Sequence, residues 1–117
     1  MSWASSIIPA CQDLADRLTA AGVPATLDRR SLSVPGAWVR PDTASRATLR
    51  GGTCRASVLL VCQQSNDSEA LEDLVPLLEA ALSVIEPDDD VDTSVVLPHN
   101  GNNLPAFRVV VDLDLEE

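Results

Sequence analysis

The sequence predicts an α+β domain: a single, mainly antiparallel sheet with helices packed on one face, in the order α-β-β-β-α-β-β. Three observations lead there. Two stretches, Ile7 to Leu18 and Leu71 to Ile85, place apolar residues at helical spacing. Val58, Leu59, Leu60 and Val61 form a run that is apolar on both faces of a strand. Phe107 to Leu115 alternates with period two, as a strand with one buried face does. At 117 residues the chain has material for one core, so residues 1–117 are read as one domain.

The first element is a helix with a stripe of Ile7, Cys11, Leu14 and Leu18, widened by Ile8 and Ala15. Ser5 or Ser6 is placed to cap it, and Gly22 followed by Pro24 ends it. Ala25–Asp28 and Ser33–Arg40 then read as a strand pair joined across Asp28-Arg29-Arg30-Ser31, with a bulge or an edge at Pro35-Gly36. Pro41 opens a long basic loop at about 41–52. Thr53–Gln63 is the buried strand. A second helix spans about Ser68 to Ile85, its stripe made of Leu71, Leu74, Val75, Leu78, Leu82 and Ile85, with Pro76 on the polar side. After an acidic turn, Glu86 to Asp90, strands Val91–Leu97 and Phe107–Leu115 form a hairpin across residues 98–103.

Charge is divided along the chain. Residues 1–60 carry seven Arg against four Asp, a net of +3, and residues 61–117 carry Arg108 against fourteen acids, a net of −13. Such a division suits subunits that meet head to tail. It does not suit a nucleic-acid binder, which needs a basic footprint. Two Trp, one Phe and no Tyr supply little surface for stacking bases or sugars. Every basic residue is Arg, which points to a GC-rich genome. Cys54 and Cys62 lie at opposite ends of one strand, roughly 26 Å apart at about 3.3 Å per residue, so reduced, buried thiols are expected. No apolar run reaches the length of a membrane span, and the opening residues lack a basic start and a signal core. A soluble chain made in the cytoplasm is the expectation.

Candidate chemistry is sparse. His99 stands in an Asn/Gly-rich segment without a nucleophile or an orienting partner beside it. Asp88, Asp89, Asp90 and Asp92 lack the spacing and turn glycine of a calcium loop. Gly51-Gly52 precedes a strand and no Lys follows, unlike a phosphate loop. The expectation is therefore a non-enzyme without cofactor or metal. The sharper candidates are Arg40, Arg46, Arg50 and Arg55, around and within the 41–52 segment, where Asp42 is the one acid. They read as an arm that grips carboxylates of a neighbouring subunit. Asp88, Asp89, Asp90, Asp92, Asp112 and Asp114 read as an acidic channel lining or partner surface.

Several segments carry a resemblance. They are Leu-Thr-Ala-Ala-Gly-Val-Pro-Ala-Thr closing the first helix, Val-Pro-Gly-Ala-Trp-Val-Arg-Pro at 34–41, and Ala-Ser-Val-Leu-Leu-Val-Cys at 56–62. The helix Leu-Glu-Asp-Leu-Val-Pro-Leu-Leu-Glu-Ala-Ala-Leu at 71–82 and Leu-Pro-Ala-Phe-Arg-Val-Val-Val-Asp-Leu at 104–113 complete the set. In this order the chain resembles the tail-terminator proteins of long-tailed bacteriophages, with the GC-rich composition suggesting an actinobacterial host. The resemblance implies a homo-oligomeric ring, commonly a hexamer, in the virion at the head–tail junction. Its partners would be the major tail tube protein and the head-side connector or stopper, with DNA only as passing cargo and no membrane. A head-closure subunit is the nearest alternative, and an acidic module that mimics DNA is a more distant one.

Overall fold

The computed structural model describes residues 3–46, 51–63, 67–88, 90–99 and 101–116. It is an α+β domain in the order α-β-β-β-α-β-β, with helices α1 (Ile7–Ala20) and α2 (Asp67–Leu82) and strands β1 (Ala25–Thr26), β2 (Gly36–Arg46), β3 (Gly51–Val61), β4 (Asp92–His99) and β5 (Asn102–Glu116). The five strands form one sheet in the order β1-β2-β3-β5-β4. Every strand pair is antiparallel except β1 with β2. β5 has fifteen residues and, at about 3.3 Å each, is roughly 50 Å long. It runs the length of a molecule that measures 48 × 26 × 24 Å.

Both helices cover the same face of this sheet. Their buried residues meet Ala37 and Val39 of β2, Cys54, Ala56, Val58 and Leu60 of β3, and Phe107, Val109, Val111, Leu113 and Leu115 of β5 in one core. The alternation of β5 therefore puts its five apolar residues against the helices, as its period requires. The alternate residues of β3 go to the other face, hereafter the open face. Leu59 and Val61 pack there with Leu32, Leu97 and Ala106 in a smaller cluster. The doubly apolar run of β3 is thus covered on both sides.

Helix α1 buries Cys11, Leu14, Ala15 and Leu18. Ile8 is 71% exposed and does not widen the stripe. Ser6 occupies the N-cap position but is itself helical and makes no capping bond with its side chain, because a 3-10 turn at Trp3–Ser6 leads straight into the helix. The other end closes on a Schellman motif: Val23 N–H donates to the Leu18 carbonyl (2.9 Å) and Gly22 N–H to that of Thr19 (3.1 Å). Gly22 adopts φ +98° there, a conformation that costs glycine little.

Four expectations are corrected by the sheet. β1 and β2 are parallel neighbours, Ala25 opposite Ala37, because a 3-10 turn at Arg29–Ser31 and the segment after it carry the chain back past β1 before β2 begins. The segment 41–52 is not a long loop. β2 continues through Pro41 to Arg46 and β3 resumes at Gly51, with Arg46 opposite Gly52, so the connection is at most the four residues 47–50, which lie outside the described residues. Pro41 fits within a strand because β1 pairs with β2 only up to Trp38, leaving that side of Pro41 without a strand that needs its missing N–H. The last hairpin is also tighter than expected. His99 pairs with Asn102, and Gly101, in the connection between them, takes φ +81° as a tight turn demands. Lastly, α2 is rotated from its expected orientation. It runs through Pro76 and buries Ala70, Leu74 and Ala81, while Leu71, Val75 and Leu82 remain 49%, 42% and 41% exposed. Of the expected stripe, Leu74 is buried and Leu78 packs beside it with Leu77, while Leu71, Val75 and Leu82 are turned to the flank.

The three thiols are buried and unbridged. Burial foremost, then the neighbouring Cys54 thiol, pushes the Cys11 thiol from its ordinary 9.0 up to about 11. Burial raises Cys54 as well. Because the folded value lies above the unfolded one, the stability contributed by a neutral Cys11 is complete below pH 9. It falls as the pH climbs to 11, by roughly 2–3 kcal/mol. Urea titrations at pH 8 and pH 10.5 check this, and an unchanged midpoint contradicts it. At pH 8 the folded chain is expected to resist a thiol-alkylating reagent until denaturant is added.

Candidate interaction surface

The open face carries the charge. Along β3 it presents Thr53, Arg55, Ser57, Leu59 and Val61, and along β5 Arg108, Val110, Asp112 and Asp114. Whatever this surface does is set by how those charges pair.

At its centre is Asp42. The register of β2 against β3 shifts between Pro41 and Thr43, so Asp42 is the extra residue of a bulge and turns its carboxylate over the open face. The bulge leaves the main chain at Asp42 open to solvent, but its side chain is only 18% exposed. Arg40 Nε lies 3.0 Å from Oδ1, and Arg108 Nη2 donates to Oδ2 at 3.0 Å. Arg108 Nε also donates to Ser57 Oγ at 2.8 Å, and that hydroxyl donates in turn to Asp42 Oδ2. Ser57 is the one fully buried polar side chain among the described residues, and this chain of bonds satisfies it. Burial opposes ionisation of Asp42. The bonds from Ser57 and Arg108, with the charges of Arg40 and Arg108, outweigh it and hold the carboxyl below its ordinary value.

A second group lies further along the same face. Arg55 Nη1 is 3.4 Å from Asp88 and 4.0 Å from Asp112. Asp88 is brought there by its own backbone, whose N–H donates to the Val110 carbonyl at 2.8 Å. Burial and the hydrogen bond and charge of Asp88 hold the Asp112 carboxyl above its ordinary value, against the pull of Arg55.

The third group is aromatic and basic. The guanidinium groups of Arg29 and Arg40 lie over the Trp38 ring, 5.5 and 5.4 Å from its centroid, and the indole N–H donates to the Leu27 carbonyl at 3.1 Å. With Leu59, Leu97 and Arg108 they line a groove that Asp92 also borders. Asp92 accepts a bond from the backbone of Ser94 at 3.0 Å and faces Arg108 across the β4–β5 ladder.

These contacts redistribute the candidates read from the sequence. Arg40 and Arg55 stand on the open face but meet carboxylates of their own chain. Arg46 has its backbone in β2, its side chain is outside the described residues, and Arg50 lies wholly outside them. The acids divide: Asp88 and Asp112 sit with Arg55, Asp114 faces the same side opposite Thr53, and Asp92 belongs to the Trp38 groove. Asp90 is exposed in the turn before β4, and Asp89 is outside the described residues. Asp42, Ser57, Arg108, Arg29 and Trp38 were not among the candidates, although Asp42 stood out as the single acid of a basic stretch. Among the described residues no cluster of His, Cys, Asp or Glu is placed to hold a metal ion, and no helix is long and apolar enough to cross a membrane.

A surface of this kind, with its arginines held by carboxylates, neighbours an apolar one. At the sheet edge β4 exposes Val96 (60%), and Val96 shares a groove with Leu71 and Leu74 of α2 and with Phe107. Neither the protein-family models nor the curated proteins compared with this sequence give a match.

Proposed function

We propose that the chain is a structural subunit of a phage virion. It forms a ring at the head-proximal end of the tail tube, ends polymerisation of the tube and joins the tail to the head connector. The observation that carries this reading is the apolar strip at the sheet edge. Leu71, Val75 and Leu82 of α2 and Val96 of β4 are exposed, and Leu71 and Val96 line one groove, as at the surface of a subunit that is buried against another. The order of elements and the segments quoted above give it its family context. The acidic turn and the acids of β5 supply like charge to a passing duplex, which opposes sticking.

Deleting the gene from its phage and viewing the lysate by electron microscopy tests the role. Overlong, irregular tails beside filled heads are expected. Normal-length, unattached tails would move the protein to the head side of the joint, as a closure subunit, and intact infectious particles would remove the structural reading.

A further inference from the structure

Two surfaces on opposite faces of the sheet complement one another. One is the ridge of α2, where Leu71 and Val75 stand exposed. Glu72 and Glu79, both exposed and seven residues apart, run down one side of that stripe. The other is the groove on the open face, floored by Trp38, Leu59 and Leu97 and bordered by Arg29, Arg40 and Arg108. Three guanidinium groups there face two carboxylates, Asp42 and Asp92, in a chain of net charge −10. Asp42 already engages Arg40 and Arg108, while Arg29 has no carboxylate within ion-pair distance among the described residues.

The geometry points to the groove as the seat for the α2 ridge of a second copy of this chain. The aliphatic stripe lies on the Trp38 floor, and Glu72 and Glu79 approach Arg29 and Arg40. Opposite charge and matched apolar surface select this occupant, and one molecule carries both halves of the contact. Because the halves differ, the contact is heterologous and repeats from copy to copy until it closes on itself. The inference rests on the ring reading, to which it assigns the contact between subunits.

Sedimentation velocity of the full chain, up to millimolar concentration, tests it. The wild type is expected to associate. Leu71→Asp, Arg29→Glu and the double variant Glu72→Arg/Glu79→Arg are each expected to weaken association by about tenfold or more. All these positions are exposed, and circular dichroism checks that each variant keeps its fold. The decisive step is a mixture of Arg29→Glu with the single variant Glu72→Arg, which is itself expected to associate weakly. In an alternating assembly of the two, residue 72 of each copy meets residue 29 of the next with opposite charge while Glu79 keeps Arg40 at every contact, so association returns. A wild type that stays monomeric throughout, as it would if the groove took a segment of a different protein, overturns the inference. A mixture no better than its components does the same. The tail-length result stands apart: overlong tails with a failed rescue keep the terminator role and discard this contact, and the converse keeps the contact and discards the role.

Discussion

Gly36→Ala is expected to destabilise the domain by about 3 kcal/mol or more, the largest effect of any single methyl addition considered for this chain. A Cβ at this position would lie 2.1 Å from the carbonyl oxygen of Ser33 and 2.8 Å from that of Pro24, and both are backbone atoms. The Pro24 carbonyl cannot withdraw freely, because it accepts the Ala37 N–H at 2.8 Å where β2 begins beside β1. Relieving the clash therefore means giving up the parallel pairing of Ala25 with Ala37, or moving the segment that carries Leu32 over the open face. Gly22→Ala is the control. Nothing lies within 4 Å of its added Cβ, so only the positive φ is penalised, at about 1 kcal/mol. Urea unfolding of the two variants separates steric exclusion from backbone preference. A Gly36→Ala protein as stable as Gly22→Ala would show that the approach at Gly36 is looser than described.

Asp42→Ala is expected to cost about 2 kcal/mol. The change leaves Arg108 without its carboxylate and strands the buried Ser57 hydroxyl, which now donates to Asp42 and accepts from Arg108. A solvated surface pair would contribute well under 1 kcal/mol, so a cost below about 0.5 kcal/mol would mean the network is merely superficial. In a double-mutant cycle with Arg108→Met the two costs should not add, since each removes the same interaction. The pH dependence has a definite sign. Asp42 ionises more easily folded than unfolded, so its contribution is present above the ordinary carboxylate value of 3.8 and is lost as the pH falls through the folded value. Asp112 works in the opposite direction, because its folded value is raised and its protonated form is favoured by folding. Asp42→Ala should therefore flatten the acid limb of the stability curve.

The bulge at Asp42 shows why so little of this surface was legible beforehand. The residues on either side of Asp42 suggested a basic loop because Arg and small polar residues outnumber apolar ones there. They form a strand because β3 and β5 continue alongside, and half of each strand faces solvent. Arg108 offers a similar lesson. The sole base of an acidic half, it carried no role in the sequence, yet it closes a network with a residue 66 positions away. Arg55 likewise reads as a free grip until the register of β3 with β5 sets it opposite Asp112. In α2 the hydrophobic periodicity located the helix correctly and misjudged its rotation. Ranking Leu and Val above Ala turns the heavier stripe inward, whereas the packed side combines Ala70 and Ala81 with Leu74 and leaves Leu71, Val75 and Leu82 outside.

The sequence by itself determined the order of elements, the buried face of β5, the doubly covered strand β3 and the end of α1 at Gly22. Each of these depends on residues close together in the chain: a period of two or 3.6, or a glycine where the backbone turns left-handed. The tertiary structure alone decided the parallel pairing of β1, the rotation of α2, the bulge at Asp42 and the partner of every charged group on the open face. Those outcomes depend on strand register and on which distant surfaces approach. Register is a property of two segments together, and neither segment carries it alone.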